Sequence, residues 1–154
     1  MIDTQLNKFL KPILKDTAKI FIKLGFKANF VTFLGFFFGL CSFYLTVNSQ
    51  FVYALIFLFL NRFCDGLDGA IARLTVATDI GAFYDIILDF IFYALFPIAF
   101  IFVDLENSFS ICFLLLSFIA TQSTFLASAW IIEKNKILIS DDHKKSFYYS
   151  GGIT

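Results

Sequence analysis

The chain has 154 residues, of which 59% are hydrophobic, 24 are phenylalanine and only 16% are charged. Because charged residues make up about a quarter of an ordinary soluble domain, this composition excludes such a domain and indicates a membrane protein. The 12 basic and 12 acidic residues give a formal net charge of +0. The charge total therefore indicates neither an acidic tail nor a nucleic-acid partner.

The first 27 residues have an amphipathic pattern. Apolar side chains fill one face, and six lysines recur every three or four positions on another: Lys8, Lys11, Lys15, Lys19, Lys23 and Lys27. This spacing predicts a helix that lies in the headgroup layer of a membrane. A helix that packs on the protein and exposes its charged face has the same pattern, so the sequence leaves both arrangements open.

Four later stretches are long enough to cross a bilayer, which takes about 20 apolar residues. They are 30–47, 51–72, 81–103 and 109–132. The loops between them are short, so we expect antiparallel neighbours. The sequence thus predicts an all-α, polytopic membrane helix bundle that forms one domain over residues 1–154. Its parts are an interfacial segment at 1–27, transmembrane helices within 30–132 and a cytoplasmic segment at 133–154.

Gly35 and Gly39 lie four positions apart in the first of these stretches. Two small residues at this spacing let helix backbones approach closely. We expect the first spanning helix to pack tightly against a neighbour at this point.

Basic residues fall on one side of the membrane in this arrangement. They are the N-terminal lysines, Arg62 and Arg73 toward the far end of the second stretch, and four lysines after the fourth. By the positive-inside rule, both chain ends and the loop at 74–80 are cytoplasmic. We expect an integral, multi-pass protein of a bacterial inner membrane whose site faces the cytoplasm.

Four aspartates lie inside the stretches that must cross the membrane: Asp65, Asp68, Asp85 and Asp89. An ionised carboxylate in this setting is costly unless it is paired or bound to a metal. Only Arg62 and Arg73 are near enough in sequence to neutralise them, which is too few for four structural salt bridges. We therefore interpret these aspartates as functional.

The spacing of the aspartates predicts that they meet at one depth. Asp65 and Asp68 share a face of the second stretch, and Asp85 and Asp89 share a face of the third. The midpoint of 65 and 89, and that of 68 and 85, both fall near position 77. In an antiparallel hairpin the four carboxylates then lie roughly 12 to 18 Å along the helices from the centre of the loop.

Convergent carboxylates attract divalent cations, and an all-oxygen ligand set favours magnesium, manganese or calcium over zinc. A pair of such ions suits displacement at phosphorus, because the attacking and the leaving oxygen can both be stabilised. Gly69 would let a ligand approach the helix backbone closely. Arg73, one turn further on, is suited to bind a phosphate.

One run of residues resembles the signature of the CDP-alcohol phosphatidyltransferases. It reads Asp65-x2-Asp68-Gly69-x2-Ala72-Arg73-x7-Gly81-x3-Asp85-x3-Asp89. Eight fixed positions at fixed spacing arise by chance about once in a billion start sites. The stretch 25–32 is also similar to the family's entry into the first spanning helix, although Ala28 stands where the family usually has proline.

The resemblance implies a role for each matched position. The metal ligands would be Asp65, Asp68, Asp85 and Asp89. Asp89 would also act as the general base on the acceptor hydroxyl. The CDP pocket would be formed by Asn29, Thr32, Gly69, Ala72, Arg73 and Gly81. The cofactor would be Mg²⁺ or Mn²⁺ at a two-metal site.

The reaction that the resemblance implies belongs to phospholipid biosynthesis. An alcohol oxygen would attack the phosphorus attached to the alcohol part of a CDP-alcohol and expel CMP. Family base rates favour CDP-diacylglycerol as the donor and a small polyol or amino alcohol as the acceptor. The sequence leaves the acceptor open, and also the choice between this donor and a small CDP-alcohol.

The resemblance implies a membrane core of six helices that usually forms a homodimer. Against such a bundle, the four stretches here lack roughly the last third, so we expect a C-terminally truncated chain. Two other functions are compatible with intramembrane carboxylates: that of an aspartate-rich membrane prenyltransferase and that of an ion transporter. An inactive fragment is a further alternative. Neither of the first two needs Gly69, Arg73 and Gly81 at these offsets.

Overall fold

The computed structural model describes residues 2–134, with side chains from residue 10 onward, and within this range all regular structure is helical. The helices are α1 (Ile2–Lys23), α2 (Ala28–Val47), α3 (Phe51–Leu74), α4 (Asp79–Val103) and α5 (Ser108–Lys134), with a 3-10 turn at Leu105–Asn107. The predicted all-α class is confirmed. Most of the predicted cytoplasmic segment, from residue 135 on, lies outside the described residues.

Three helices are long and apolar enough to cross a bilayer: α2, α4, and α5 together with the turn before it. The fourth expected span, α3, has 24 residues, or about 36 Å at 1.5 Å per residue, so its length is sufficient. Every 18-residue stretch of α3 includes Arg62, Asp65 and Asp68, and this charge sets it apart from the other three. Together the helices form the predicted polytopic membrane bundle.

Helix α2 packs between α3 and α4 through its glycines. A Cβ added to Gly35 would lie 2.9 Å from the Cβ of Cys64 in α3. A Cβ added to Gly39 would lie 2.6 Å from Cδ2 of Phe92 in α4. Carbon atoms without a bond between them do not approach this closely, so a larger residue at either place would require its neighbour to shift. The predicted close packing is confirmed, and it involves two partner helices.

Two buried hydrogen bonds fix α2 against α3. The Ser42 hydroxyl donates to the carbonyl of Ala54 at 2.8 Å, and Asn61 Nδ2 donates to the carbonyl of Gly35 at 2.8 Å. All three of Ser42, Asn61 and Gly35 are buried. A polar side chain in apolar surroundings is costly without a partner, so these bonds specify how the two helices align.

Helix α1 packs on α3 through one apolar face. Ala18 is fully buried, and the side chain of Leu14 lies against Gly66, where an added Cβ would meet its Cδ1 at 3.1 Å. The described lysines of α1 are exposed, and so are Ile13 and Ile20 on its outer surface. The helix therefore contacts the protein and still presents lysines and apolar side chains outward, as a headgroup-layer helix would.

Candidate active site

The four aspartates face a cleft between α3 and α4. Both helices pack extensively on α2, whereas their own backbones scarcely approach each other. Helix α2 forms the floor of the space between them, and most of the lining residues are polar. The lining residues are Thr32, Gly35, Phe36, Asn61, Asp65, Asp68, Asp85, Leu88 and Asp89. The four aspartates line one cleft, as the hairpin spacing predicted, but the position of α2 as the floor between α3 and α4 was not predicted.

Three of the four aspartates form a compact group. Asp65, Asp68 and Asp85 each offer a carboxylate oxygen, and these oxygens lie within 4.8 Å of one another. Asp68 is only 4% exposed, and its Oδ2 is buried without a hydrogen-bond partner among the described residues. A buried polar atom without a partner calls for an explanation such as an ion. Oxygen ligands from three carboxylates suit Mg²⁺ or Mn²⁺, so these residues fit a divalent metal.

Asp89 lines the same cleft but has a different partner. Its Oδ1 accepts a hydrogen bond from Arg62 Nη2 at 2.8 Å. Arg62 Nη1 also lies 3.7 Å from Oδ2 of Asp65, which connects this pair to the compact group. The role of Asp89 as a metal ligand stays a prediction, because it is not among the three aspartates whose oxygens converge.

Arg62 was placed by the sequence toward the cytoplasmic end of its helix, and this placement was wrong. It lies at the middle of α3, 11 residues after Phe51 and 12 before Leu74. Its guanidinium pairs with Asp89, which lines the cleft, so Arg62 is a counter-ion of the site. An arginine in the middle of an apolar stretch, one turn before Asp65, was the signal that could have identified it.

Two more residues of this network were not foreseen. Arg62 Nε donates to Oδ1 of Asn61 at 2.8 Å, and Arg62 Nη1 donates to the Tyr93 hydroxyl at 2.9 Å. The guanidinium carbon also lies 4.8 Å from the ring centroid of Phe92 and 5.0 Å from that of Tyr93. The polar pair Asn61-Arg62 within an apolar run was the available sequence signal.

Four of the six residues predicted to bind CDP fall in two close pairs. A Cβ added to Gly69 would lie 3.1 Å from Nη1 of Arg73, so the guanidinium folds back over the bare helix backbone. A Cβ added to Gly81 would lie 2.8 Å from Oδ1 of Asn29 and 2.9 Å from Oγ1 of Thr78. The start of α2 thus meets the start of α4 at Gly81, and no larger residue fits there without displacing Asn29.

The two remaining predicted contacts differ in their positions. Thr32 lines the cleft with the aspartates, and its hydroxyl donates to the carbonyl of Ala28 at 3.1 Å. Ala72 is half-buried in the last turn of α3 and is not part of the cleft lining. Thr32 therefore lies beside the compact group of aspartates, whereas Ala72 does not line their cleft.

Comparison with known proteins agrees with this geometry. A family model described as CDP-alcohol phosphatidyltransferase matches residues 26–145. The "Inner membrane protein YnjF" of Escherichia coli (strain K12) is 41% identical over 155 residues, covering 100% of this chain and 75% of that protein. An "Uncharacterized protein" of Aquifex aeolicus is 32% identical over 91 residues, covering 58% of this chain and 46% of that protein.

No solved structure matches the chain. Its apolar helices and its bacterial relatives identify a bacterial integral membrane protein. The family model spans most of the chain and includes all eight positions of the aspartate signature. The chain therefore belongs to the CDP-alcohol phosphatidyltransferase family.

Proposed function

We propose that this protein transfers a phosphatidyl group, or another substituted phosphate, from a CDP-alcohol to an alcohol acceptor and releases CMP. The observation that carries the proposal is the convergence of Asp65, Asp68 and Asp85 around a buried carboxylate oxygen without a partner. CDP-diacylglycerol is the proposed donor, and a small polyol or amino alcohol is the proposed acceptor.

The three converging aspartates would hold the Mg²⁺ or Mn²⁺ ions, with Asp89 at their edge. When bound, a metal pair stabilises the negative charge that develops on the attacking and leaving oxygens. Four carboxylates line this small cleft, and Arg62 is hydrogen-bonded to one of them, that of Asp89. Several carboxylates gathered at one place suit divalent ions.

The donor would bind on the side of the cleft where α2 and α4 begin. Arg73, folded over Gly69, is placed to pair with the pyrophosphate, because a guanidinium matches two phosphate oxygens at once. Asn29 beside Gly81 offers an amide to the nucleotide. Thr32 would contact the donor next to the aspartates. Ala72 would contribute a small side chain to the pocket from the last turn of α3.

The transfer itself needs a base and a leaving group. The proton of the acceptor hydroxyl passes to the carboxylate of Asp89 as the hydroxyl oxygen forms a bond to the phosphorus that carries the alcohol part of the donor. The bond from that phosphorus to the bridging oxygen breaks, and CMP leaves with the electron pair. Such positioned proton transfer contributes about 100- to 10,000-fold to a rate.

The cleft is proposed to open to the cytoplasm of a bacterial inner membrane. The exposed lysines of α1 favour this orientation by the positive-inside rule. The name of the Escherichia coli relative supports the membrane assignment. A homodimer remains a prediction from the family resemblance, and the proportion of dimer in mild detergent would measure it.

CMP release is the direct test. The full-length gene product in detergent is given CDP-diacylglycerol with serine, inositol or glycerol 3-phosphate, and in parallel CDP-choline or CDP-ethanolamine with diacylglycerol. We expect release of labelled CMP that depends on Mg²⁺ or Mn²⁺, ceases with a chelator and falls about 100- to 10,000-fold in Asp89→Asn. Absence of metal-dependent release from every donor would contradict the proposal, and turnover of a prenyl diphosphate would identify the rival enzyme.

Gly81→Ala tests the donor side of the cleft. The new methyl group would lie 2.8 Å from Oδ1 of Asn29, so that side chain must move. We expect the KM for the donor to rise about tenfold, with kcat and Mn²⁺ affinity nearly unchanged, because binding contacts are lost but the metal group is intact. The matched control is Ile80→Ala, an exposed neighbour in the same turn. An unchanged KM would remove Asn29 from the donor site.

A further inference from the structure

We propose that Arg62 is a positioning residue that fixes the carboxylate of Asp89 for the transfer reaction. The inference rests on the proposed function, in which Asp89 accepts the proton of the acceptor hydroxyl. It gives a role to Arg62, which is not one of the eight positions of the family signature.

The guanidinium of Arg62 is held by three hydrogen bonds in different directions. Nε donates to Asn61, Nη1 to the hydroxyl of Tyr93 and Nη2 to Asp89, at 2.8, 2.9 and 2.8 Å. The guanidinium is planar and its donors diverge at fixed angles, so three acceptors leave it little freedom to rotate. Oδ1 of Asp89 is therefore held by a group that is itself fixed.

Aromatic rings add to this restraint. The guanidinium carbon lies 4.8 Å from the ring centroid of Phe92 and 5.0 Å from that of Tyr93. Cations near aromatic faces are attracted to them, more strongly where water is scarce. The Arg62 and Asp89 side chains are only 28% and 27% exposed, so their ion pair is screened less than a surface pair.

The restraint extends to the third helix of the site. Asn61, which accepts from Arg62, also donates through Nδ2 to the backbone carbonyl of Gly35 in α2. A series of hydrogen bonds thus connects the α2 backbone to Asn61, then to Arg62, and finally to Asp89 in α4. Without it, the carboxylate of Asp89 would be free to rotate about two side-chain bonds.

This geometry has a chemical consequence at Asp89. With Oδ1 engaged by Arg62, Oδ2 is the oxygen better able to take the proton of the acceptor hydroxyl. Arg62 Nη1 also lies 3.7 Å from Oδ2 of Asp65, so the same guanidinium contacts both Asp89 and the compact group of aspartates. A base held this way faces the acceptor oxygen in one orientation, and orientation of this kind makes a large contribution to rates. A lysine could make only some of these contacts, since its donors form no planar fork.

A merely structural ion pair that ties α3 to α4 is the alternative, and a double-mutant cycle separates the two. The variants are Arg62→Gln, Asp89→Asn and the double variant, with Arg62→Lys and Tyr93→Phe as milder changes in case Arg62→Gln does not fold. For each, kcat and KM for CMP release, Mn²⁺ affinity and the thermal midpoint are measured. Lys134→Gln is the matched control, because it removes another cation stacked on an aromatic ring, that of Trp130 at 4.9 Å.

We expect Arg62→Gln to lower kcat by about 10- to 100-fold while the KM for the donor and the Mn²⁺ affinity change less than about threefold. Arg62→Lys should recover part of kcat. In the Asp89→Asn background, the loss of Arg62 should change kcat less than about twofold, because residues that act as one unit are not additive.

Three results would overturn the inference. Additive losses in the double variant would mean that Arg62 acts without Asp89. A rise in KM alone would place Arg62 on the substrate. A lower thermal midpoint with unchanged kcat would make the pair structural only. If the unaltered protein releases no CMP from any donor, the proposed function fails first and this inference fails with it.

Discussion

Asp68→Asn is expected to abolish divalent-cation binding and transfer activity while making the metal-free protein more stable. Asp68 is the most buried of the aspartates that line the cleft, and it lies where three carboxylate oxygens converge. Its replacement removes one charged ligand at the centre of the group. Since a bound metal supplies several kcal/mol of charge stabilisation, we expect kcat to fall by at least about 1,000-fold.

The gain in stability has a separate cause. Oδ2 of Asp68 is buried without a hydrogen-bond partner among the described residues, and two other carboxylates lie close to it. A neutral amide removes both the repulsion and part of the cost of burying charge. We expect the free energy of unfolding without metal to rise by about 1 to 3 kcal/mol.

Mn²⁺ titration followed by electron paramagnetic resonance, and thermal unfolding in a chelator, measure the two effects. The matched control is Asp79→Asn, because Asp79 is an exposed carboxylate in the first turn of α4 and lies outside the cleft lining. Asp79→Asn should change neither the Mn²⁺ affinity nor the thermal stability much. Wild-type Mn²⁺ affinity in Asp68→Asn would exclude the metal site as described.

The converging trio could be predicted from sequence because helix geometry alone sets it. Asp65 and Asp68 are three residues apart on one helix, and the short loop after α3 returns Asp85 to the same depth. Helix geometry also allows Asp89 to lie apart from the trio. Four residues turn an α-helix by about 400°, so Asp89 lies about 40° around α4 and about 6 Å along it from Asp85. That offset is enough for Asp89 to face Arg62.

The pairing of Asp89 with Arg62 could not be predicted from the sequence. A helix pattern shows which residues share a face with Arg62, but not which side chains stand across the cleft, because that depends on how far α2 separates α3 from α4. The same limit applied to α1, whose pattern fitted both a headgroup helix and a packed one. The contact between Leu14 and Gly66 is tertiary, and no periodicity in α1 specifies it.

Gly39→Ala is the second change with a large expected effect, because Gly39 packs closely against Phe92 of α4 and Asn61 of α3. The added methyl carbon would lie 2.6 Å from Cδ2 of Phe92, 3.0 Å from its Cε2 and 3.2 Å from Nδ2 of Asn61. Phe92 is 4% exposed, so its ring has little space to move. Overpacking of this kind costs about 1 to 3 kcal/mol of stability.

Activity should fall together with stability, because both side chains displaced by Gly39→Ala contact Arg62. Phe92 lies under its guanidinium, and Asn61 accepts its Nε hydrogen. A shift in either would loosen the hold on Asp89, so we expect kcat in the folded fraction to drop about tenfold. Gly66→Ala is the matched control: its methyl group would meet only the flexible end of Leu14, away from the cleft, and should leave kcat unchanged.

A compensating substitution separates the two consequences of Gly39→Ala. Phe92→Leu makes room for the new methyl group, so the double variant Gly39→Ala/Phe92→Leu should regain most of the lost thermal stability. It should not regain full kcat, because the aromatic ring under Arg62 is gone. Thermal unfolding and CMP release measured on the same preparations check both expectations. Full recovery of kcat with stability would show that the contact between Phe92 and Arg62 contributes to folding alone.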